Sequence, residues 1–283
     1  MSEPDNQSNN VLREWRDNAE YWRQHYITIR TLFAPVTRAL IEEAKITAGN
    51  VILDVAGGSG EPSLTIAELV GPGGSVTCTD AVAEMVSAAK SEAEQRGLTN
   101  VEFQQCLADS LPFEDNHFDA TVCRLGIMFF PDVVAALREM LRVTKVGGRI
   151  SLVVWGRDDL NPFINTVTNV MGKYVEMPPT LPDAPGAFRF AEPGKLAKVV
   201  EEAGAVGVQE RQLNFKIESP LSPAQFWKLR SETSGTLREK LSSLSSEQVR
   251  KVMLEVEEAG REFFPNGEMS FPAQMLIVSG KVS

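Results

Sequence analysis

Basic residues, histidine and cysteine are all scarce in this chain. Its 283 residues carry 28 lysines and arginines against 38 aspartates and glutamates, a net charge of −10. Such a surface repels phosphates, so nucleic acid is not expected as a partner. The three cysteines, Cys78, Cys106 and Cys123, lie far apart without a CxxC pair. Neither a zinc site nor a disulfide frame is suggested, and no metal is expected. No apolar run approaches the ~20 residues needed to cross a bilayer, so no integral membrane segment is expected. The opening residues, MSEPDNQSNN, lack the basic start and apolar core of a signal peptide. They read as a short disordered tail, and the cytoplasm is the default location. Two histidines, His25 and His117, leave few candidates for proton transfer.

What is present is ordinary in amount and patterned in arrangement. The hydrophobic fraction of 43% is enough to bury a core, and the length suits one large domain or a core domain with a smaller appendage. Residues 11–33 carry a helical stripe of Leu12, Trp15, Ala19, Trp22, Tyr26, Ile29 and Phe33, and a second helix is expected at about 35–46. Strands are expected at 50–56, 75–80, 101–106, 118–124 and 149–155. Helices separate them: Pro62 opens one through Val70, another runs from 82 to 96, and Asp132 caps a third over 133–145. Short apolar strands alternating with helices predict an α/β fold with a doubly wound, mostly parallel sheet.

Beyond residue 155 the rhythm changes. A helix at 163–175, a proline-rich loop over 177–188, a helix at 193–205 and a strand at 206–217 precede a polar helical block at 222–262. A closing strand spans 273–282. The expected division is a tail and cap helices at 1–48, a cofactor-binding core at 49–156, and the rest of the core at 157–283. Inserted lid segments are expected near 157–190 and 222–262.

The stretch VILDVAGGSGEPS (51–63) ends the first strand in a glycine turn, the place where open α/β sheets bind ligands. A dinucleotide site wants G-x-G-x-x-G. Gly58 and Gly60 fit its opening, but Ser63 stands at the last glycine and Pro62 removes an N–H donor. Asp80, ending the second strand, suits a ribose under either a nicotinamide or an adenosyl cofactor. Until further motifs are weighed, a nicotinamide adenine dinucleotide (NAD) oxidoreductase and a non-catalytic binder of an adenosyl cofactor both stay open.

Two further motifs separate these readings. LDVAGGSGEPS, Asp80, the stretch CLADSLPFEDNHFDATVCR and the stretch LREMLRVTKVGG follow one another in order. This series resembles the class I S-adenosylmethionine-dependent methyltransferases, and most of all the ubiquinone/menaquinone C-methylase type. Two positions depart from the family pattern: Ala56 replaces the first glycine and Val146 the usual proline. The resemblance covers about residues 50–155 and implies a Rossmann-like, seven-stranded sheet. It also implies S-adenosylmethionine as cofactor, with a small hydrophobic or amphipathic acceptor.

It implies site residues as well. Asp54, Ala56, Gly57, Gly58 and Gly60 form the cofactor loop. Asp80, Ala81 and Met85 belong to the ribose side, and Ala108, Asp109 and Ser110 to the adenine side. Cys123 and Arg124 pass beside the methionine end. Trp22, Tyr26, Arg124, Met128 and Phe129 are expected in the acceptor pocket. His25 and Tyr21 are the candidates for a general base, should the acceptor need to lose a proton.

Overall fold

A computed structural model of the chain describes residues 3–177 and 183–283. Three helices come first: α1 (Glu3–Gln24), α2 (Tyr26–Leu32) and α3 (Ala34–Ala44). The core follows as β1 (Val51–Val55), α4 (Ser63–Val70), β2 (Ser75–Asp80), α5 (Ala83–Gln95), β3 (Val101–Gln105), β4 (Phe118–Arg124), α6 (Val133–Val143) and β5 (Thr144–Trp155). The remainder is α7 (Pro162–Met171), α8 (Lys195–Ala203), β6 (Val206–Ser219), α9 (Pro223–Thr233), α10 (Gly235–Ser242), α11 (Ser246–Ala259) and β7 (Met269–Lys281).

The strands form one sheet in the order β3-β2-β1-β4-β5-β7-β6, with β7 antiparallel to both of its neighbours. This is the expected doubly wound α/β sheet. Its order reverses between β1 and β4, and a crevice opens there at the carboxyl ends of the strands. The register keeps those ends level. Val55 pairs with Thr79, Asp80 with Gln105, and Asp54 with Val122. Residues 56, 80 and 106 therefore leave the sheet side by side. Asp119 fastens the opposite end, accepting from the Val51 amide at 2.7 Å and from Lys145 Nζ at 2.6 Å.

Three expectations need correction. The opening residues are helical from Glu3, because a helix already packed over 11–24 extends its end at little nucleation cost. The stripe at 11–33 forms two helices, since His25 (φ −96°, ψ 10°) turns the chain between them. The first of these lies over the carboxyl ends of the strands, while Tyr26 packs with Leu64 and Ala93. Finally, the helix expected over 133–145 stops at Val143. Thr144 joins the sheet, its hydroxyl 2.6 Å from that of Thr121, and the extra residues 145–148 bulge before Arg149 pairs with Ala120. The proline-rich loop read at 177–188 lies outside the described residues at positions 178–182. Among the described residues, no helix is long and apolar enough to cross a membrane.

Candidate active site

The level strand ends enclose a cavity of about 370 Å³. Four carboxyl ends supply its floor: Val55 to Ser59 with Glu61, Thr79 to Val82, Cys106 to Asp109, and Arg124 to Gly126. The roof is aromatic. Trp15 and Trp22 of α1 stand edge to face at 5.6 Å, and Trp15 meets Phe129 at 5.2 Å. Leu12 and Trp15 also pack on Val82 and Met85, which seats α1 at the start of α5.

Asp80 is the polar centre of the floor. One carboxylate oxygen accepts from the Gly58 amide at 3.0 Å and the other from the Val82 amide at 2.9 Å. Each oxygen keeps a further lone pair for a ligand hydroxyl. Loss of water outweighs those amides and raises its pKa to about 6. Beside it, Gly58 (φ +56°) has open space where a Cβ would stand. A ligand can therefore approach the bare backbone directly.

Asp54 works behind the floor. It is fully buried and accepts from the amide of Ser63 at 3.1 Å and its hydroxyl at 2.5 Å. It therefore pins the first residue of α4 and does not line the cavity. Desolvation raises its pKa to about 7. Ala56, in the position of the family's first glycine, has φ +58° and faces Gly126. A Cβ on Gly126 would meet Ala56 Cβ at 2.6 Å. Gly126→Ala is expected to cost about 1–3 kcal/mol in urea unfolding. Adding Ala56→Gly removes the clashing methyl and should restore most of that loss; a double variant no better than the single one would refute this contact.

A buried ionic network backs one wall. The Glu61 carboxylate accepts from Tyr26 OH at 2.8 Å, Thr65 Oγ1 at 2.7 Å and Arg96 Nη1 at 3.0 Å. Burial, then the Glu61 charge, pushes the Tyr26 phenol far above its ordinary pKa. Arg124 is buried as well; its guanidinium donates to Thr37 Oγ1 at 2.7 Å and to the Glu61 carbonyl at 3.0 Å. Desolvation lowers its pKa, while the charges of Glu61 and Asp54 counter that loss.

Ala56, Gly57, Gly58, Asp80, Ala81, Met85, Ala108, Asp109, Arg124, Trp22, Tyr26 and Phe129 thus meet at one cavity. Others expected in the site stand away from it. Gly60 packs against Leu64 and α5, and Ser110 closes a turn onto the Leu107 carbonyl. Cys123 and Met128 are sealed in the core, because they point to the apolar side of β4 and of its following turn. The general-base candidates also require correction. His25 Nε2 lies 2.6 Å from Glu232 of α9, and the Tyr21 ring carries the Arg238 guanidinium at 4.4 Å. Both face α9 and α10, Tyr21 by its place on α1 ahead of the turn and His25 at the turn itself. Glu61, Trp15, Phe33 and Cys106 were not singled out as site residues. Trp15 belonged to the helical stripe and Glu61 to the quoted loop, but nothing local tells which of their neighbours they face.

Comparison with known proteins agrees with this geometry. The model of the ubiE/COQ5 methyltransferase family matches residues 35–178, half of the chain. A ubiquinone/menaquinone biosynthesis C-methyltransferase UbiE of Pseudomonas putida is 38% identical over 121 residues, 42% of this chain and 47% of that protein. An uncharacterized protein of Mycobacterium tuberculosis is 39% identical over 124 residues, 44% of each chain. The chain spans somewhat under half the length of the curated relatives it matches. Among solved structures, the YcgJ protein of Bacillus subtilis is similar at TM-score 0.57 and 24% identity, covering 88% of this chain and 98% of its own. The [4+2]-cyclase SpnF is similar at TM-score 0.55 and 18% identity, covering 93% and 94%. These structural likenesses establish the fold, and a fold alone does not choose the reaction.

Proposed function

The chain belongs to the ubiE/COQ5 methyltransferase family, and from that premise we propose that it is an S-adenosylmethionine-dependent methyltransferase. In this reading it moves a methyl group to a small, hydrophobic or amphipathic acceptor and releases S-adenosylhomocysteine. The observation that carries this is the meeting of residues 55–59, 79–82 and 106–109 in one cavity, with Asp80 at the centre of its floor.

The residues suit that cofactor. Asp80 has lone pairs free for two ribose hydroxyls, Ala108 and Asp109 border the space for adenine, and Arg124 and the bare backbone at 56–58 face its amino-acid end. When bound, the cofactor supplies a methyl group on a positively charged sulfur, already activated for displacement. The chain's own part is alignment, holding reacting atoms about 3–3.5 Å apart. The roof of Trp15, Trp22 and Phe129 excludes water and offers aromatic faces to a cation.

No histidine lines the cavity among the described residues, and Tyr26 is committed to Glu61 and Arg96. Carboxylates do line it, and Asp109 and Asp132 are the groups placed to take a proton from an acceptor that must lose one. The helices of 1–48 and the insertion at 222–262 then act as a cap over the 49–156 core. Trp22 Nε1 donating to the Thr233 carbonyl at 3.2 Å supports that role. A cytoplasmic site of action fits a small-molecule enzyme, and the charge of −10 disfavours nucleic acid as its substrate.

Calorimetry with S-adenosylhomocysteine tests the reading, and saturable binding is expected. Heat from reduced NAD in place of the adenosyl compound would restore the dinucleotide alternative. The pH dependence should follow Asp80. Ribose hydroxyls are donors and need the ionised carboxylate, so affinity is expected to be flat above about pH 7. It should fall as pH drops through about 6, the value to which burial raises this group. Asp80→Asn should bind weakly and without that slope; an unchanged slope in this variant would reassign the titration.

A further inference from the structure

The helix that roofs the cavity is held from outside by a single arginine. Val11, Leu12, Trp15 and Trp22 of α1 line the cavity. Glu14, Asn18 and Tyr21 share a neighbouring face of the same helix, with His25 at its end. That face meets the end of α9 and the start of α10. Glu14 accepts from the Thr236 amide at 3.3 Å, and His25 Nε2 lies 2.6 Å from Glu232. Arg238 of α10 is the centre of this seam. Its guanidinium stands 4.4 Å from the centroid of the Tyr21 ring. It donates to the Asn18 side-chain oxygen and, at 3.3 Å, to the Asp17 carbonyl. It also donates to the Glu232 carbonyl on α9, so one side chain joins three helices. Gly235 permits the close approach, since a Cβ there would meet Glu14 Cγ at 2.7 Å.

The apolar hold on α1 is small by comparison. Ala19, Val82 and Met85 form a buried cluster of their own, with Leu12, Trp15 and Trp22 around it. The chain then turns at His25 into α2. A helix with few buried apolar contacts and a turn at its end opens at less cost than the sheet beneath it. The side chains that tie it down therefore govern how firmly the roof is closed. Trp15 lies one turn before Asn18, and Trp22 directly follows Tyr21, so a grip on Asn18 and Tyr21 is a grip on both indoles. The contacts of Arg238 are those that one substitution removes together.

We propose that Arg238 is a positioning residue for methyl transfer. By holding Asn18 and Tyr21 it keeps Trp15 and Trp22 over the bound cofactor, and so sets how long the cofactor is retained. The inference rests on the methyltransferase reading above and adds to it a residue that does not itself line the cavity.

The test uses the full chain and S-adenosylhomocysteine, with stopped-flow tryptophan fluorescence to separate association from dissociation. Arg238→Ala is expected to raise the dissociation rate about 10-fold and to leave association within about twofold. Amide hydrogen exchange supplies a readout that a general loss of stability would not give. Exchange over 11–24 should accelerate in the ligand-free variant, while the amides of β1 and β4 keep their wild-type rates. Arg238→Lys keeps a cation for the Tyr21 ring but loses the forked contacts. It should show both effects at intermediate size, and it decides the matter if the alanine variant fails to fold. Dissociation within twofold of wild type would overturn the proposal, as would equal acceleration of exchange in α1 and the sheet. Failure of S-adenosylhomocysteine to bind wild type would instead strike the cofactor reading, and the exchange comparison would still judge the grip of Arg238 on α1.

Discussion

Glu61→Gln is expected to lower the unfolding free energy by about 3–5 kcal/mol, the scale for removing one partner of a buried ion pair. The side chain is 4% exposed and serves three hydrogen-bond donors, while Arg30 Nε lies a further 3.4 Å away. An amide offers one accepting oxygen where the carboxylate offers two, so either Tyr26 or Thr65 loses its acceptor. Arg96, 11% exposed, keeps Glu68 at 2.6 Å but loses its buried counter-charge. Arg124, buried beside the cavity, loses the stronger of the two carboxylate influences that balance it. Tyr26→Phe is the control. It removes one neutral donor and should cost about 1–2 kcal/mol. Urea unfolding of both variants checks the order, and a Glu61→Gln loss no greater than that of Tyr26→Phe would mean the network is not held by charge.

Asp80→Ala should weaken S-adenosylhomocysteine binding by roughly 1.5–3 kcal/mol, about 10- to 150-fold, the range for hydrogen bonds to a charged group. The loss has two sources. The ribose hydroxyls lose their acceptor, and the amides of Gly58 and Val82 lose the group that draws the two strand-end turns together. Calorimetry at pH 8, where the carboxylate is ionised, gives the full effect. An affinity within twofold of wild type would remove Asp80 from the ribose role. Because the wild-type group titrates near 6, the gap between the two proteins should narrow in acid.

Much of the framework was readable from local pattern. Strand runs such as VILDV and SVTCTD, the break at Gly97 and the cap at Asp132 depend on side-chain periodicity and backbone preference within a few residues. The exchange of helix for strand at Thr144 was not readable in this way. A β-branched residue after a helix is common to both outcomes, and the pairing of Thr144 with Phe118 across the sheet selects the strand.

The site divides along the same line. The sequence by itself determined the order of elements, the glycine turn after β1 and the carboxylate at the end of β2, because each follows from local spacing. Tertiary structure alone decided that His25 turns to Glu232, 207 residues away, and that Tyr21 lies under Arg238. It also decided that Glu61 gathers Tyr26, Thr65 and Arg96. The physical reason is the range of the forces involved. Turn chemistry and periodicity act between near neighbours, whereas the direction of a side chain and the partner of a buried charge are set by whatever packing brings across the fold.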